Sequence, residues 1–463
     1  MSPSGGEAYR RLSLWWDSLP GPIGLRPPLD GDTEVDVAVV GGGLTGLWTA
    51  YYLAAADPAL RIAVFERDAV GFGASGRNGG WCSALFPTSG DRLDTMAGPG
   101  SGTRMRLAMQ QTVDEVGRVV DAEAIGCRFA KGGTVVLARN RAQLDRARQG
   151  VAHARSQGIG EEDLQLLSPA EAGATVRATG IYGGTYTPHC AAVDPARLVR
   201  GLAEAVERRG VTVYEGTEVR SVGGGTVETA RGRVRTGVAV RATEGYTPTL
   251  QGEGRTLVPV YSLMIATEPL PDAFWDEVGL RRRETFSDHR HQVIYGQRTE
   301  DGRMAFGGRG APYHFGSSIR QAFDRDARVH RALQATLVDL FPALADVAVT
   351  HRWGGPLGIA RDWVPSVGID RARGLAWAGG YVGDGVSTTN LAGRTLADLI
   401  LERTSELTAL PWVGHAWQRW EPEPLRYLGI NAGLLLAAMS DRAEERAGRA
   451  TWHADLLGRL TGG

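Results

Sequence analysis

The sequence predicts an α/β fold of α+β two-domain type. One domain is built on a parallel sheet wrapped by helices; the other is discontinuous and built on an antiparallel sheet. Three stretches carry this expectation. Asp36 to Glu66 reads as strand, glycine turn, helix and strand. Leu257 to Gly310 holds β-branched, partly alternating runs joined by short turns. Leu375 to Leu401 repeats strand, glycine turn and helix late in the chain.

In the first stretch, Val37 to Val40 is a short apolar run of the kind buried on both faces of a sheet. Gly41, Gly43 and Gly46 then spell G-x-G-x-x-G, with Leu44 and Thr45 between the last two. Leu47, Ala50, Tyr51 and Leu53 recur near helical spacing. A second run, Arg61 to Phe65, ends in Glu66, 20 residues after Gly46, with Arg67 next. This order is a Rossmann-like dinucleotide fingerprint. Gly41 permits the tight turn, Gly43 lets backbone approach a pyrophosphate, and Gly46 lets the helix close on the strand. The amides and dipole at the helix start favour phosphate charge. The Glu66 carboxylate suits a ribose diol and repels a 2′-phosphate. The bland alternative is a glycine-rich loop of another α/β protein; the flanking strands and the spaced acid argue against it.

At 463 residues the chain has room for two or three domains. Hydrophobic residues make up 43% and charged residues 22%, as in a soluble globular protein. A net charge of −1 gives no global field for nucleic acid or an anionic membrane. Cys82, Cys127 and Cys190 are widely spaced without C-x-x-C, which argues against a disulfide framework or a structural metal site. The N-terminus lacks an apolar signal core, and no apolar run approaches membrane-spanning length. The expectation is a cytoplasmic protein with no stable membrane insertion.

Residues 1–34 read as an extended arm anchored by Trp15, Trp16 and Leu19. After Glu66, Gly71 to Trp81 reads GFGASGRNGGW. Gly73, Ala74, Ser75, Asn78, Gly79 and Gly80 can wrap the rest of a dinucleotide, and Arg77 can meet phosphate or substrate; the alternative is a mobile surface loop. Met105, Met109, Val113, Val116 and Val120 predict a helix over 101–125. Gly132 to Arg139 reads as a strand and Arg141 to Gln157 as a helix. Ser168 and Glu171 form a capping-box pattern, and Asp194-Pro195 opens a helix to Arg209. Strands follow to Ala242. Leu257 to Leu270, HQVIYGQ and RMAFGGRG form a meander, the last two joined by the turn Thr299 to Gly302. Residues 317–341 read as a helix. In the last block, Gly379, Gly380, Gly383, Asp384 and Gly385 make a second glycine-rich turn, and Val386 opens a helix to Leu401. Leu434 to Met439 reads as one face of a packed terminal helix rather than a membrane-surface anchor.

The opening from Trp15 to Ala54 together with GASGRNGG resembles the glycine oxidase/D-amino-acid oxidase superfamily of FAD-dependent oxidoreductases, in its gamma-glutamylputrescine oxidoreductase-like branch. The resemblance runs to about Asp441. It implies a Rossmann-like FAD-binding domain from 35–98, 165–258 and 352–410, and a substrate domain from 99–164 and 259–351. An arm (1–34) and a C-terminal helical segment (411–463) complete the chain. A family motif usually written ATNAYT stands here as Ala242 to Thr247, with Thr243 in place and Glu244 for the usual Asn. The second glycine turn is the one the family uses for flavin.

The resemblance further implies oxidation of the C–N bond of an amine or amino acid, with hydride passing to flavin N5 and the imine hydrolysing in water. Such chemistry asks for a neutral amine, placement and a dry pocket rather than a nucleophile or a metal. Pocket candidates are Arg309, His291, Tyr295, Trp353 and Tyr381. Arg309 can hold a carboxylate bidentately or serve as a salt bridge. His291 suits a solvated strand position as well as catalysis; the three aromatics suit core packing as well as a pocket wall. Some relatives link flavin to a Cys before the last flavin loop. None stands there, so noncovalent FAD is expected. Those relatives also use a Lys beside flavin to assist oxygen, whereas Lys131 is the only lysine in this chain. Oxygen and another electron acceptor therefore both stay open. Two other readings share the fingerprint: an NADPH-dependent flavin monooxygenase, and a flavin-binding protein without catalysis. Against the first, no second GxGxxG occurs in a strand–helix context, and STTNLAGRTLADLI follows Gly383-Asp384 in place of the expected Pro and Gly pattern.

Overall fold

The computed structural model describes residues 6–308 and 310–447. The expected extended arm carries two short helices, Glu7–Arg10 and Leu14–Asp17, the second capped by the Ser13 hydroxyl, and runs on to residue 32 without helix or strand. Trp15 and Trp16 are buried. Trp15 Nε1 donates to the Asn78 carbonyl at 2.8 Å, and Ser13 Oγ donates to that of Gly76 at 3.1 Å. The arm is thus stitched to the GASGRNGG loop rather than laid across the surface.

The first sheet runs Ser366–Asp370, Leu375–Gly379, Arg233–Arg241, Thr33–Val40, Ile62–Phe65, Thr212–Tyr214, with Val219–Gly223 and Thr226–Thr229 appended. Its central pairings are parallel, as the fingerprint requires. Gly41 sits at φ +111°, and a Cβ there would come within 2.5 Å of the Ala242 carbonyl oxygen. A Cβ at Gly46 would stand 2.1 Å from the Gly41 carbonyl oxygen and 2.9 Å from Val39. These two positions admit glycine alone, and they let the helix Leu44–Ala56 lie directly on the strand.

The second sheet runs Val349–Ile359, Val258–Thr267, Met304–Gly308, Ile294–Arg298, Thr285–Asp288, Thr134–Ala138, Gly183–Thr187, Gln165–Leu167. It is antiparallel apart from one parallel pair, Thr285–Asp288 with Thr134–Ala138. The chain passes between the sheets at other residues than the expected domain limits. Helix Ser101–Ala122 buries Met105, Met109, Val113 and Val116 in the core of the first sheet's helices. Strands within 165–187 and 349–359 belong to the second sheet.

The capping box at Ser168 and Glu171 is formed, and Asp194 caps Pro195–Arg208. The helix expected over 317–341 is restricted to Ala327–Leu340. Asp326 accepts the Arg328 and Val329 N–H groups, which fixes the start there. The terminal helix Leu425–Ala447 packs through one face only: Leu428 and Leu435 are 60% and 62% exposed. Among the described residues no helix is long and apolar enough to cross a membrane.

Candidate functional site

The two glycine turns line one cleft, with about 1140 Å³ of free space including its open mouth. Gly41, Gly43, Leu44 and Thr45 line one side, and Gly383, Gly385, Val386 and Tyr381 the other. The GASGRNGG loop contributes Gly73, Ala74, Ser75 and Asn78, and Glu66, Arg67, Thr243 and Glu244 close the ends. Neither N-cap residue, Gly43 or Asp384, caps the helix it precedes, Leu44–Ala56 or Gly385–Ile400; at the first of these, Ser75 Oγ accepts the Leu44 N–H at 2.9 Å. Both present positive dipole ends to the cleft. The Thr45 and Tyr381 hydroxyls lie 3.1 Å apart and join the two turns.

Glu66 accepts the Gly42 N–H at 2.8 Å and the Asp68 N–H at 2.9 Å. Burial pushes its carboxyl up to about 7, against the opposing pull of those two amides. Glu244, the departure from the family motif, accepts the Gly380 N–H at 2.9 Å and the Tyr381 N–H at 3.2 Å. Burial pushes it to about 7 as well. Its backbone sits at φ +40°, in the left-handed region that Asn enters more easily than Glu. The Asn of the motif thus fits the backbone, while the longer carboxylate here fastens the second glycine turn.

These donors and acceptors suit a dinucleotide: two helix starts for pyrophosphate and flavin, an acid for ribose, and glycines where a side chain would fill the cradle.

Several expected site residues stand elsewhere. Arg77 is buried with its guanidinium committed: Nη1 donates to Asp324 at 2.7 Å and to the Gly354 carbonyl at 3.0 Å, and Nη2 to the Tyr246 hydroxyl at 2.9 Å. It ties the flavin-side loop to the second sheet. Gly46 packs beneath the fingerprint turn. Gly79 and Gly80 lie behind the cleft; the Gly79 carbonyl accepts Gln297 Nε2 at 2.6 Å. Gly380 serves through its N–H to Glu244, and Asp384 precedes the second helix start.

Trp353 is no pocket wall: fully buried, it donates Nε1 to the Arg77 carbonyl at 2.8 Å. Tyr295 packs against Gly79 and Gly307 and meets Ser262 Oγ at 2.8 Å. His291 lines a second cavity and is tied there to the terminal helix, with Nε2 2.8 Å from Glu444 Oε1 and its backbone N–H donated to Asp441 at 2.7 Å. Tyr381 belongs to the cofactor cleft. Arg309 lies outside the described residues.

The second cavity, with about 2010 Å³ of free space including its mouth, shares Leu357 with the cleft as a lining residue. Tyr261, Ile359, Trp363 and Trp420 wall it together with the inner face of the terminal helix, Gly429, Ile430, Gly433 and Ala437. Trp363 holds its backbone at φ +62°, a strained conformation for a bulky residue. None of these wall residues was expected from the sequence. The available signal was Gly429, Gly433 and Ala437 at four-residue spacing, which places three small residues on one helix face. Within the cleft, Phe72, Tyr246, Pro356 and Thr389 were missed too.

Comparison with known proteins agrees with this geometry. Residues 36–399 match the family model described as FAD dependent oxidoreductase (DAO). The chain is 28% identical over 401 residues to a probable oxidoreductase OrdL of Rhizobium meliloti, covering 86% of this chain and 90% of that one. It is 29% identical over 391 residues to gamma-glutamylputrescine oxidoreductase of Escherichia coli, covering 81% and 86%. In fold it is similar to glycine oxidase from Geobacillus kaustophilus, with a TM-score of 0.68 at 22% identity, covering 83% of this chain and 99% of that one. With the cleft and the family match in agreement, the chain belongs to the DAO family of FAD-dependent oxidoreductases.

Proposed function

We propose that the protein oxidises the C–N bond of a small amine or amino acid, with FAD held noncovalently in the cleft. The observation that carries this reading is a dinucleotide cleft and a separate, largely apolar cavity that share Leu357 as a lining residue. When bound, FAD supplies the hydride acceptor. The chain supplies position and dryness: Tyr261, Trp363 and Trp420 flank the space, and the terminal helix covers one side of it. No nucleophile is needed if the amine enters neutral. Gamma-glutamylputrescine oxidoreductase and D-amino acid dehydrogenase among the relatives support an amine or amino-acid substrate.

Cys82, Cys127 and Cys190 are buried, and none lines either space, which supports a noncovalent flavin. Lys131 is paired with Asp114 and also lines neither, so no lysine among the described lining residues serves oxygen. The reading is tested by incubating the FAD-loaded enzyme with a panel of amines and amino acids, in air and with a dye acceptor. Carbonyl product formed without nicotinamide supports it; product formed only with NADPH contradicts it. The same pair of conditions separates oxidase from dehydrogenase.

A further inference from the structure

We propose that Arg92 reads a carboxylate carried by the substrate at a distance from the oxidised C–N bond, an inference that rests on the amine-oxidation reading above. The charged groups around the second cavity are mostly satisfied. Arg361 pairs with Glu421 at 2.9 Å, Arg426 with Glu423 at 3.1 Å, and His291 with Glu444 at 2.8 Å. Arg92 lines the same cavity, and no hydrogen bond or ion pair engages its guanidinium among the described residues. Only its backbone N–H is used, donated to the Ser89 hydroxyl. The nearby acids are occupied: Asp91 accepts from Gln157 at 2.6 Å and lies 3.3 Å from His153, and Asp94 accepts the Gly102 N–H at 2.8 Å.

A second polar group stands beside it without a partner. Thr88 is 5% exposed, also lines the cavity, and its hydroxyl makes no hydrogen bond. Thr88 and Arg92 flank the start of the helix Gly90–Ala97, which adds a weak preference for negative charge. A buried hydroxyl and an unpaired guanidinium on one wall leave a cost that an anionic ligand removes. The planar fork of Arg matches a carboxylate bidentately.

Placement assigns the carboxylate to the far part of the substrate. Neither Thr88 nor Arg92 borders the cofactor cleft, whereas the reacting carbon must reach the Leu357 end. Between the ends the walls are Tyr261, Trp363 and Trp420. At Gly429 and Gly433 a Cβ would meet nothing within 4 Å, so the helix leaves width for a substrate body. An unpaired cation on the wall also disfavours polyamines that carry a second positive charge.

The test uses the FAD-loaded enzyme and stopped-flow flavin reduction without oxygen. The probes are glycine, γ-aminobutyrate and ε-aminocaproate, each against the alkylamine of matching length. Arg92→Met and Arg92→Lys are run beside the parent, with the flavin spectrum and melting temperature checking the fold. The expected result is a preference of about tenfold or more for γ-aminobutyrate or ε-aminocaproate over its matched amine, and none for glycine over its own; a preference confined to glycine overturns the proposal. The preference resides in the apparent binding constant rather than the limiting rate. It disappears in Arg92→Met and survives in part in Arg92→Lys. A preference that persists in Arg92→Met, or none at any length while amines still reduce the flavin, overturns the proposal alone. Reduction by NADPH with no amine active overturns the reading beneath it as well.

Discussion

Glu244 holds the N–H of Gly380 at 2.9 Å, and with the Tyr381 N–H at 3.2 Å this carboxylate fixes the second glycine turn from a segment 136 residues earlier. The turn then presents the uncapped helix Gly385–Ile400 to the flavin side of the cleft. Glu244→Gln keeps one acceptor and turns an NH₂ group toward a backbone donor. We expect FAD affinity to fall about tenfold, as for the loss of one charge-assisted hydrogen bond. Flavin fluorescence titration of the apoprotein measures it; unchanged affinity contradicts the assigned role.

Glu66 gives a pH dependence. Its folded-state carboxyl titrates near 7, above the ordinary carboxylate range, because it is buried. A raised acid favours folding below its unfolded value, and that contribution is lost as pH rises through about 7. Apoprotein stability therefore declines across this window by more in the parent than in Glu66→Gln, which separates Glu66 from Glu244 with its similar shift. Ribose hydroxyls donating to Glu66 favour its ionised form, so FAD binding tightens as pH rises through the same window. Thermal melts and FAD titrations at stepped pH, parent against Glu66→Gln, check both signs.

Arg77 is a joint between the sheets rather than a cofactor ligand. Arg77→Met leaves Asp324, its partner at 2.7 Å, buried without a cation. The expected cost is about 3–5 kcal/mol in chemical denaturation. Adding Asp324→Leu recovers part of it by removing the orphaned charge. A loss of FAD affinity without a loss of stability contradicts this role.

The terminal helix is fastened to the second sheet at its far end. Glu444 meets His291 at 2.8 Å and Arg146 at 2.7 Å, while Asp441 accepts the His291 and Gln292 N–H groups at 2.7 and 2.8 Å. Because this helix walls the second cavity, loosening it opens the substrate space. Asp441→Asn with Glu444→Gln is expected to raise KM and speed limited proteolysis within 425–447, with the flavin spectrum unchanged. Equal proteolysis rates and an unchanged KM contradict the assignment.

What was legible in the sequence was local. The G-x-G-x-x-G turn and the caps at Ser168 and Asp194 are fixed by neighbouring residues and formed as expected; the second glycine turn formed too, but its fastening by the distant Glu244 was not legible. Side chains whose partners lie far along the chain were misread. Arg77 in a glycine-rich loop looks like an anion ligand until Asp324 is placed beside it, 247 residues on. Trp353 satisfies the pattern of a pocket wall, yet it is buried and reaches the Arg77 carbonyl, whereas His291 does line the second cavity, where it meets the terminal helix. The second cavity was invisible because its walls come from residues near 90, 260, 360 and 430, brought together only by the tertiary fold.

The most direct test of the account is visible spectroscopy of the FAD-loaded enzyme under anaerobic conditions, with amines and amino acids in one arm and NADPH in another. The account predicts bleaching of the flavin by an amine or amino acid without nicotinamide. Bleaching by NADPH alone, or by no donor in either arm, contradicts it.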